Sequence, residues 1–219
     1  STLVKAIMNM VKPNGGYVKI FGQSPKEGIS RIGYIPQRES VDWDFPVTVM
    51  DVVLMGRYGH VGWLKRIGKS DRTIACECLE QVDMLPYANR QIGNLSGGQQ
   101  QRVFLARALA QESSLYLMDE PFAGVDAVTE KAIVTLLKGM RERGKTLVIV
   151  HHDLASAKEY FDHLLLLNMR KVAYGSIAEV YKPELLQKTY GGRLTILSDM
   201  ATKSAGVRAI EKEAYAAEK

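Results

Sequence analysis

One stretch near the middle of this 219-residue chain has residue types that suit metal-assisted phosphate chemistry. Leu115–Met118 is apolar, and it runs into two carboxylates, Asp119 and Glu120, before Pro121. A short apolar run of this kind predicts a buried parallel strand, whose carboxyl end opens onto a ligand crevice. Acidic oxygens at that edge suit a metal ion bound to phosphate, and the proline ends the strand pairing.

A second stretch, Leu95-Ser96-Gly97-Gly98-Gln99, precedes a basic and apolar run over residues 101–111. Ser96 is a plausible N-cap of a helix whose positive dipole end would face an anion. The two glycines let backbone N–H groups approach that anion closely. Each stretch alone would be a weak pattern, but together and in this order they form a strong one.

The two stretches resemble the signature motif and the Walker B motif of ATP-binding cassette (ABC) ATPases. The resemblance implies an α/β fold of the P-loop NTPase (RecA-like) type. Its parallel-sheet core would carry an inserted helical subdomain at about residues 38–93 and the remnant of a small antiparallel β subdomain. It spans residues 1–194 as one ABC ATPase domain. Residues 195–219 become rich in Ala, Glu and Lys and would form a C-terminal extension to which the sequence assigns no role.

Two further strand ends continue the resemblance. Arg31–Gln37 predicts a strand, and Gln37 resembles the Q-loop glutamine, which implies that its amide contacts Mg²⁺ and the attacking water. Thr146–Val150 predicts a continuous apolar strand that ends at two histidines, His151 and His152. The family has its switch histidine, which contacts the γ-phosphate, directly before an acidic or amide residue. This favours His152 over His151.

The first residues resemble the start of the helix that follows the Walker A phosphate-binding loop. This implies that the sequence begins inside that loop, without its glycines and its lysine. Ser1 would supply a hydroxyl to the Mg²⁺ of Mg-ATP, and Thr2 would lie beside the nucleotide. A polypeptide of these residues alone is therefore expected to bind ATP poorly and to show no ATPase activity.

The resemblance also implies roles for the central residues. Asp119 would hold Mg²⁺ directly or through a water, and Glu120 would orient and deprotonate the water that attacks ATP. Together with Gln37 and His152, Glu120 would form the catalytic group. Ser96–Gln99 would cover the ATP bound by a second protomer in a head-to-tail homodimer, and Asp126 would connect the two sites.

The segment from Val41 to Trp63 looks similar to manganese/iron-type importer ATPases. This similarity implies a subunit that drives the uptake of a transition metal, which would be manganese or iron, or else zinc. The metal would pass through an integral-membrane permease served by a metal-binding substrate protein. Such a subunit is peripheral to the cytoplasmic face of the bacterial cell membrane. Two interpretations of this segment stay open: a docking surface for the permease, or ordinary packing of its aromatic residues Trp43, Phe45 and Trp63.

Other classes are less favoured. Lys and Arg are scattered and the net charge is only +5, so no nucleic-acid partner is expected. An ABC ATPase acting on nucleic acid or ribosomes is the first alternative, but the single signature and the short spacing from Gln37 to Leu95 favour transport. An inactive fragment without a phosphate loop is the second alternative. His60 is interpreted as a hydrogen-bonded loop histidine, and Cys76 and Cys78 as unpaired thiols.

The remaining pattern predicts several elements. They are a short strand at Tyr17–Phe21, a helix at Asp71–Met84 capped by Ser70 or Asp71, two strands at Leu164–Leu167 and Lys171–Tyr174, and a helix at Ile177–Thr189.

Overall fold

The computed structural model describes residues 2–38, 41–43, 45–61 and 66–191. Ser1, Trp63 and the extension at 195–219 lie outside the described residues, so the predictions for them stay predictions. The chain divides into two compact units between His152 and Asp153.

A three-stranded parallel sheet forms the centre of the first unit. Its strands are β1 (Ile32–Ile35), β2 (Leu115–Asp119) and β3 (Thr146–Val150), in the order β1-β2-β3. The central strand β2 is buried at Tyr116, Leu117 and Met118, as expected of a strand covered on both faces. The predicted α/β class and all three parallel strands are therefore confirmed.

The first unit also contains seven helices in its described residues. They are α1 (Thr2–Ile7), α2 (Pro25–Gly28), α3 (Val49–Met55), α4 (Tyr58–Val61), α5 (Lys69–Glu80), α6 (Gly97–Ala110) and α7 (Ala127–Glu142), with 3₁₀ turns at Ile29–Arg31, Leu85–Tyr87 and Ile92–Asn94. The largest apolar cluster joins α3, α5 and α6, where Val53, Leu79 and Val103 are fully buried. This cluster holds the helical segment against the helix that follows Ser96.

Arg57 is the polar centre of that helical segment, with only 7% of its side chain exposed. Its Nε lies 3.1 Å from Oδ1 of Asp71 and its Nη1 lies 2.6 Å from Oε2 of Glu112, so it ties the start of α5 to the end of α6. The nearby Nε2 of His60 lies 2.8 Å from the carbonyl oxygen of Gln111, which confirms the predicted hydrogen bond, but the predicted loop is wrong because His60 lies in α4.

The start of α5 differs from the prediction. Its N-cap is Gly68, and the carboxylate of Asp71 accepts a hydrogen bond from the Gly68 N–H at 3.0 Å. The pKa of Asp71 is lowered, first by this bond and then by Arg57. Cys76 and Cys78 are free, as predicted, and burial raises the pKa of the Cys78 thiol to about 11.

The second unit contains α8 (Leu154–Tyr160), β4 (His163–Asn168), β5 (Arg170–Ser176), α9 (Ile177–Val180) and α10 (Pro183–Tyr190). The antiparallel pair β4–β5 confirms the two predicted strands. The single helix predicted at Ile177–Thr189 is wrong. Two helices replace it, because Pro183 fits the first turn of a helix but not its interior.

The predicted strand at Tyr17–Phe21 is also wrong. Only Ile20 pairs, in an isolated bridge with Gln23, because Phe21 and Gly22 have φ values of 51° and 80° and turn the chain between them. The expected antiparallel remnant is thus limited to one bridge in the described residues. Within these same ranges, no helix combines the length and the apolar character needed to cross a membrane.

Candidate functional site

Parallel pairing brings three polar segments to one edge of the sheet. Gln37 lies just beyond the end of β1, Asp119 is the last residue of β2, and His152 lies just beyond β3. Asp119 pairs in register with Val150. Since neighbouring strands lie about 4.8 Å apart, this edge collects an amide, two carboxylates and an imidazole.

The two carboxylates of this edge differ in exposure. Asp119 is only 3% exposed. Burial of the nearby Tyr34 raises the pKa of its hydroxyl, and the negative charge of Asp119 raises it further. The Glu120 side chain is 28% exposed. Its φ of 52° lies in the left-handed region, which is unusual for a residue with a Cβ, and its N–H donates to the Val150 carbonyl oxygen at 3.1 Å. The sheet thus buries one carboxylate and presents the other to solvent.

The two histidines also differ in their surroundings. Nδ1 of His152 lies 3.6 Å from Oε2 of Glu120, and 70% of the His152 side chain is exposed. The ring of His151 instead packs edge-to-face on Phe122, with centroids 5.4 Å apart. A partly exposed carboxylate beside an imidazole can orient a water molecule and accept its proton.

The turn at Ser96–Gln99 forms a capping box at the start of α6. The Ser96 hydroxyl oxygen accepts from the Gln99 N–H at 3.3 Å, and the Gln99 side-chain oxygen accepts from the Ser96 N–H at 2.9 Å. This confirms Ser96 as the N-cap. The N–H groups of Gly97 and Gly98 lie in the first turn, where a helix supplies no backbone acceptor, at its positive dipole end.

Asp126 caps the next long helix, α7, a role that the sequence reasoning missed. Its carboxylate accepts hydrogen bonds from the N–H groups of Val128 and Thr129, at 3.0 Å and 2.9 Å, and from the Thr129 hydroxyl at 2.7 Å. These bonds, the Thr129 N–H first among them, lower the pKa of Asp126. The signal that could have found it is an aspartate directly before a helical apolar pattern.

Arg38 is a second residue that the sequence reasoning missed. Its Nε and Nη2 donate to Oε1 of Gln100 at 3.2 Å and 3.0 Å, and its carbonyl oxygen accepts from Nε1 of Trp43 at 2.9 Å. Only its place directly after Gln37 marks it in the sequence. Thr2 is exposed and begins α1, whereas Ser1 is outside the described residues.

Comparison with known proteins identifies the family. Residues 1–123 match the ABC transporter family. The manganese transport system ATP-binding protein of Bacillus subtilis is 58% identical over 199 residues, covering 91% of this chain and 80% of that relative. The chain belongs to the ABC transporter family. The zinc transport system ATP-binding protein of Treponema pallidum is 55% identical over 195 residues, covering 89% of this ABC transporter chain and 73% of that relative.

Solved structures of the ABC family share the fold. A nucleotide-free ATP-binding cassette from an ABC transporter matches with a TM-score of 0.70 and 25% identity, covering 85% of this chain and 81% of that one. A dimeric ATP-binding cassette in a post-hydrolysis state, bound to ADP and phosphate, matches with a TM-score of 0.68 and 29% identity, covering 80% and 79%. These matches confirm the P-loop NTPase fold of this chain.

The cap at Asp126 makes a prediction about stability. Replacing Asp126 with Ala should lower the melting temperature, since three donors at the start of α7 lose their acceptor. Replacing it with Asn should cost less, because Asn also accepts at an N-cap. Because the pKa of Asp126 is lowered in the folded state, its charge stabilises the fold above the ordinary carboxyl pKa of about 3.9.

That stabilisation is lost as the pH falls through the lowered value. The difference in melting temperature between the wild type and Asp126→Asn should therefore shrink on acidification, as followed by circular dichroism over a pH series. An Asp126→Ala variant as stable as the wild type, or a difference that stays constant with pH, would contradict the cap.

Proposed function

We propose that this protein is the ATP-binding and ATP-hydrolysing subunit of an ABC importer, driving manganese or zinc uptake through a membrane permease. The observation that carries the proposal is the sheet edge where Gln37, Asp119, Glu120 and His152 follow three adjacent parallel strands. The two relatives named for manganese and zinc transport support the substrate. Neither of those two names mentions iron, which the sequence also predicted, so manganese and zinc are favoured.

The donors at this edge fit the Mg²⁺ of Mg-ATP. Magnesium prefers oxygen ligands, and the edge offers the Asp119 carboxylate and the Gln37 amide oxygen. Asp119 is almost fully buried, and a buried carboxylate is costly unless a cation or hydrogen bonds balance it. The Ser1 hydroxyl would complete this set. When bound, the metal ion would neutralise charge on the ATP phosphates.

Glu120 is the general base of the proposed reaction. Its carboxylate is partly exposed and so can reach the attacking water, orient it and take its proton. His152, 3.6 Å away, holds the same water and donates to the γ-phosphate. His151 packs on Phe122 instead, which supports the choice of His152.

The signature turn serves the second protomer of a head-to-tail homodimer. In the capping box the Ser96 hydroxyl acts as an acceptor, so its O–H can still donate to a phosphate of the partner's ATP. The N–H groups of Gly97 and Gly98 add two further donors. A dimeric structure of a similar ATP-binding cassette with ADP and phosphate supports this arrangement. Asp126, at the start of α7, connects the two sites in this proposal.

The permease docks on the predicted segment from Val41 to Trp63, at the cytoplasmic face of the membrane, and the structure describes residues 41–43 and 45–61 of that segment. Trp43 packs edge-to-face on Phe104 with centroids 5.0 Å apart, so packing accounts for this tryptophan. Phe45 and Tyr58 are 57% and 59% exposed, which supports a docking surface. That the reported relatives are transport subunits favours a permease over a nucleic acid or ribosome as the partner.

The first prediction of this proposal concerns the general base. In the assembled transporter, Glu120→Gln should reduce ATP hydrolysis by about 10²–10⁴-fold, because the amide cannot take the proton of the attacking water. ATP binding should stay near the wild-type level, since the side chain keeps its size. Glu80→Gln, at the exposed end of α5, is the matched control and should hydrolyse ATP normally. Hydrolysis by Glu120→Gln at the wild-type rate would contradict the assignment of Glu120 as the general base.

The head-to-tail arrangement predicts complementation between two inactive protomers. Ser96→Asp keeps an N-cap but opposes the partner's phosphates with a carboxylate, whereas Glu120→Gln removes the base. Each variant alone should be inactive. In a mixed dimer, one site combines the intact Glu120 of the first protomer with the intact Ser96 of the second.

Co-expression with two different affinity tags, followed by tandem purification, isolates these mixed transporters for an ATPase assay. We expect hydrolysis to return only in the mixed population, and Ser96→Thr, which keeps both hydroxyl and cap, to remain active. If Ser96 acted within its own protomer, every site of the mixed dimer would carry a defect. No recovery in the mixed dimer would therefore contradict the arrangement.

The docking surface predicts a cross-link. Photo-reactive benzoylphenylalanine at position 45 should cross-link to the co-expressed permease, because Phe45 is exposed on the proposed contact surface. The same group in place of Tyr17, an exposed aromatic residue of the first unit outside the docking segment, is the matched control and should not cross-link. Equal yields from the two positions, or none from position 45, would leave the docking surface without support.

A further inference from the structure

The guanidinium of Arg38 lies close to the backbone of Gly97 at the N-terminus of α6. A Cβ placed on Gly97 would lie 3.0 Å from Cζ of Arg38, tighter than ordinary contacts between carbon atoms. On the other side, Nη1 of Arg38 lies 4.0 Å from the position of a Cβ on Gly124. The guanidinium therefore sits between the signature turn and the loop that precedes α7.

Gln100, which accepts the hydrogen bonds of Arg38, is held at both ends of its side-chain amide. Gln100 is only 4% exposed; its Oε1 accepts two hydrogen bonds from Arg38, and its Nε2 donates to the Ile92 carbonyl oxygen at 3.2 Å. The Arg38 backbone is held separately through Trp43, which packs on Phe104 of α6. Both contacts end on the same helix, so the segment after Gln37 follows the first turns of α6.

Because Arg38 is charged, the strength of its contact with Gln100 depends on whether an anion is bound at the signature turn. A cation beside a helix N-terminus faces the positive end of the helix dipole, which is unfavourable, and the neutral Gln100 oxygen offsets it only in part. An anion that reaches the start of α6 would remove this repulsion. The contact is therefore weakest without an anion at the signature turn and strengthens when one arrives.

We propose that Arg38 is a positioning residue that couples Gln37, at the sheet edge, to the signature turn Ser96–Gln99. This inference rests on the proposed function, in which the signature turn contacts the ATP of the partner protomer and Gln37 serves the site of its own protomer. Because Arg38 directly follows Gln37, a shift of α6 would move the Gln37 amide, which is proposed to hold the Mg²⁺ of Mg-ATP. The turn is also in van der Waals range of the α7 start, since a Cβ on Gly98 would lie 3.7 Å from Thr129.

The test is a double-mutant cycle on the assembled transporter in proteoliposomes. Arg38→Met and Gln100→Leu each remove the hydrogen bonds with little change of volume. Each should lower manganese uptake per ATP hydrolysed by about 5-fold or more, the lower end of usual coupling between two sites. The double variant should be no worse than the worse single variant, because both remove the same contact. Arg72→Met, on the exposed face of α5, is the control and should couple normally.

A lysine at position 38 separates charge from geometry. Arg38→Lys keeps the cation but loses the two parallel donors, so it should behave like Arg38→Met. Normal coupling in Arg38→Lys would overturn the proposal, as would variants that lower only the melting temperature and leave uptake per ATP unchanged. These results differ from failure of the proposed function, in which the wild-type transporter itself would show no ATP-driven manganese uptake.

Amide hydrogen exchange tests the link without transport. With a non-hydrolysable ATP analogue and Mg²⁺ bound, peptides covering residues 96–103 should exchange faster in Arg38→Met than in the wild type, and Arg72→Met should match the wild type. Unchanged exchange in Arg38→Met would show that Arg38 does not hold the start of α6, and it would overturn the proposal.

Discussion

The parallel pairing of β2 with β1 and β3 is the constraint on which the proposed site depends. Only parallel strands bring their carboxyl ends to the same edge, and here three polar segments follow those ends. The buried side chains of Tyr116, Leu117 and Met118 fix the register. A slip of one residue would turn each side chain of β2 to the opposite face and remove Asp119 from the edge.

The signature turn and the start of α7 make hydrogen bonds within their own protomer, and these bonds limit how Ser96 and Asp126 can serve a partner. Ser96 and Asp126 each cap a helix of their own protomer. Substitutions there change local helix stability as well as any contact with a second protomer. Only variants that keep a capping oxygen separate the two effects. Arg38 adds a link between these elements that is made within one protomer.

The sequence predicted those parts of the site that local patterns determine. Apolar runs ending in polar residues gave β2 and β3, and a serine before two glycines gave the cap of α6. Predictions that needed an exact turn failed, as at Phe21 and Gly22, where positive φ angles replace a strand. The bond from Arg38 to Gln100 joins residues 62 positions apart, and only the tertiary packing of α6 brings them together.

A structure of the assembled transporter with a non-hydrolysable ATP analogue and Mg²⁺ would show whether two protomers share each ATP at the carboxyl edge of the parallel sheet. We expect the γ-phosphate to lie between Glu120 and His152 of one protomer and Ser96 of the other. Asp119 and Gln37 should lie at the metal ion. A γ-phosphate contacted by one protomer alone, or a nucleotide bound away from the carboxyl edge of the parallel sheet, would contradict the proposed shared site.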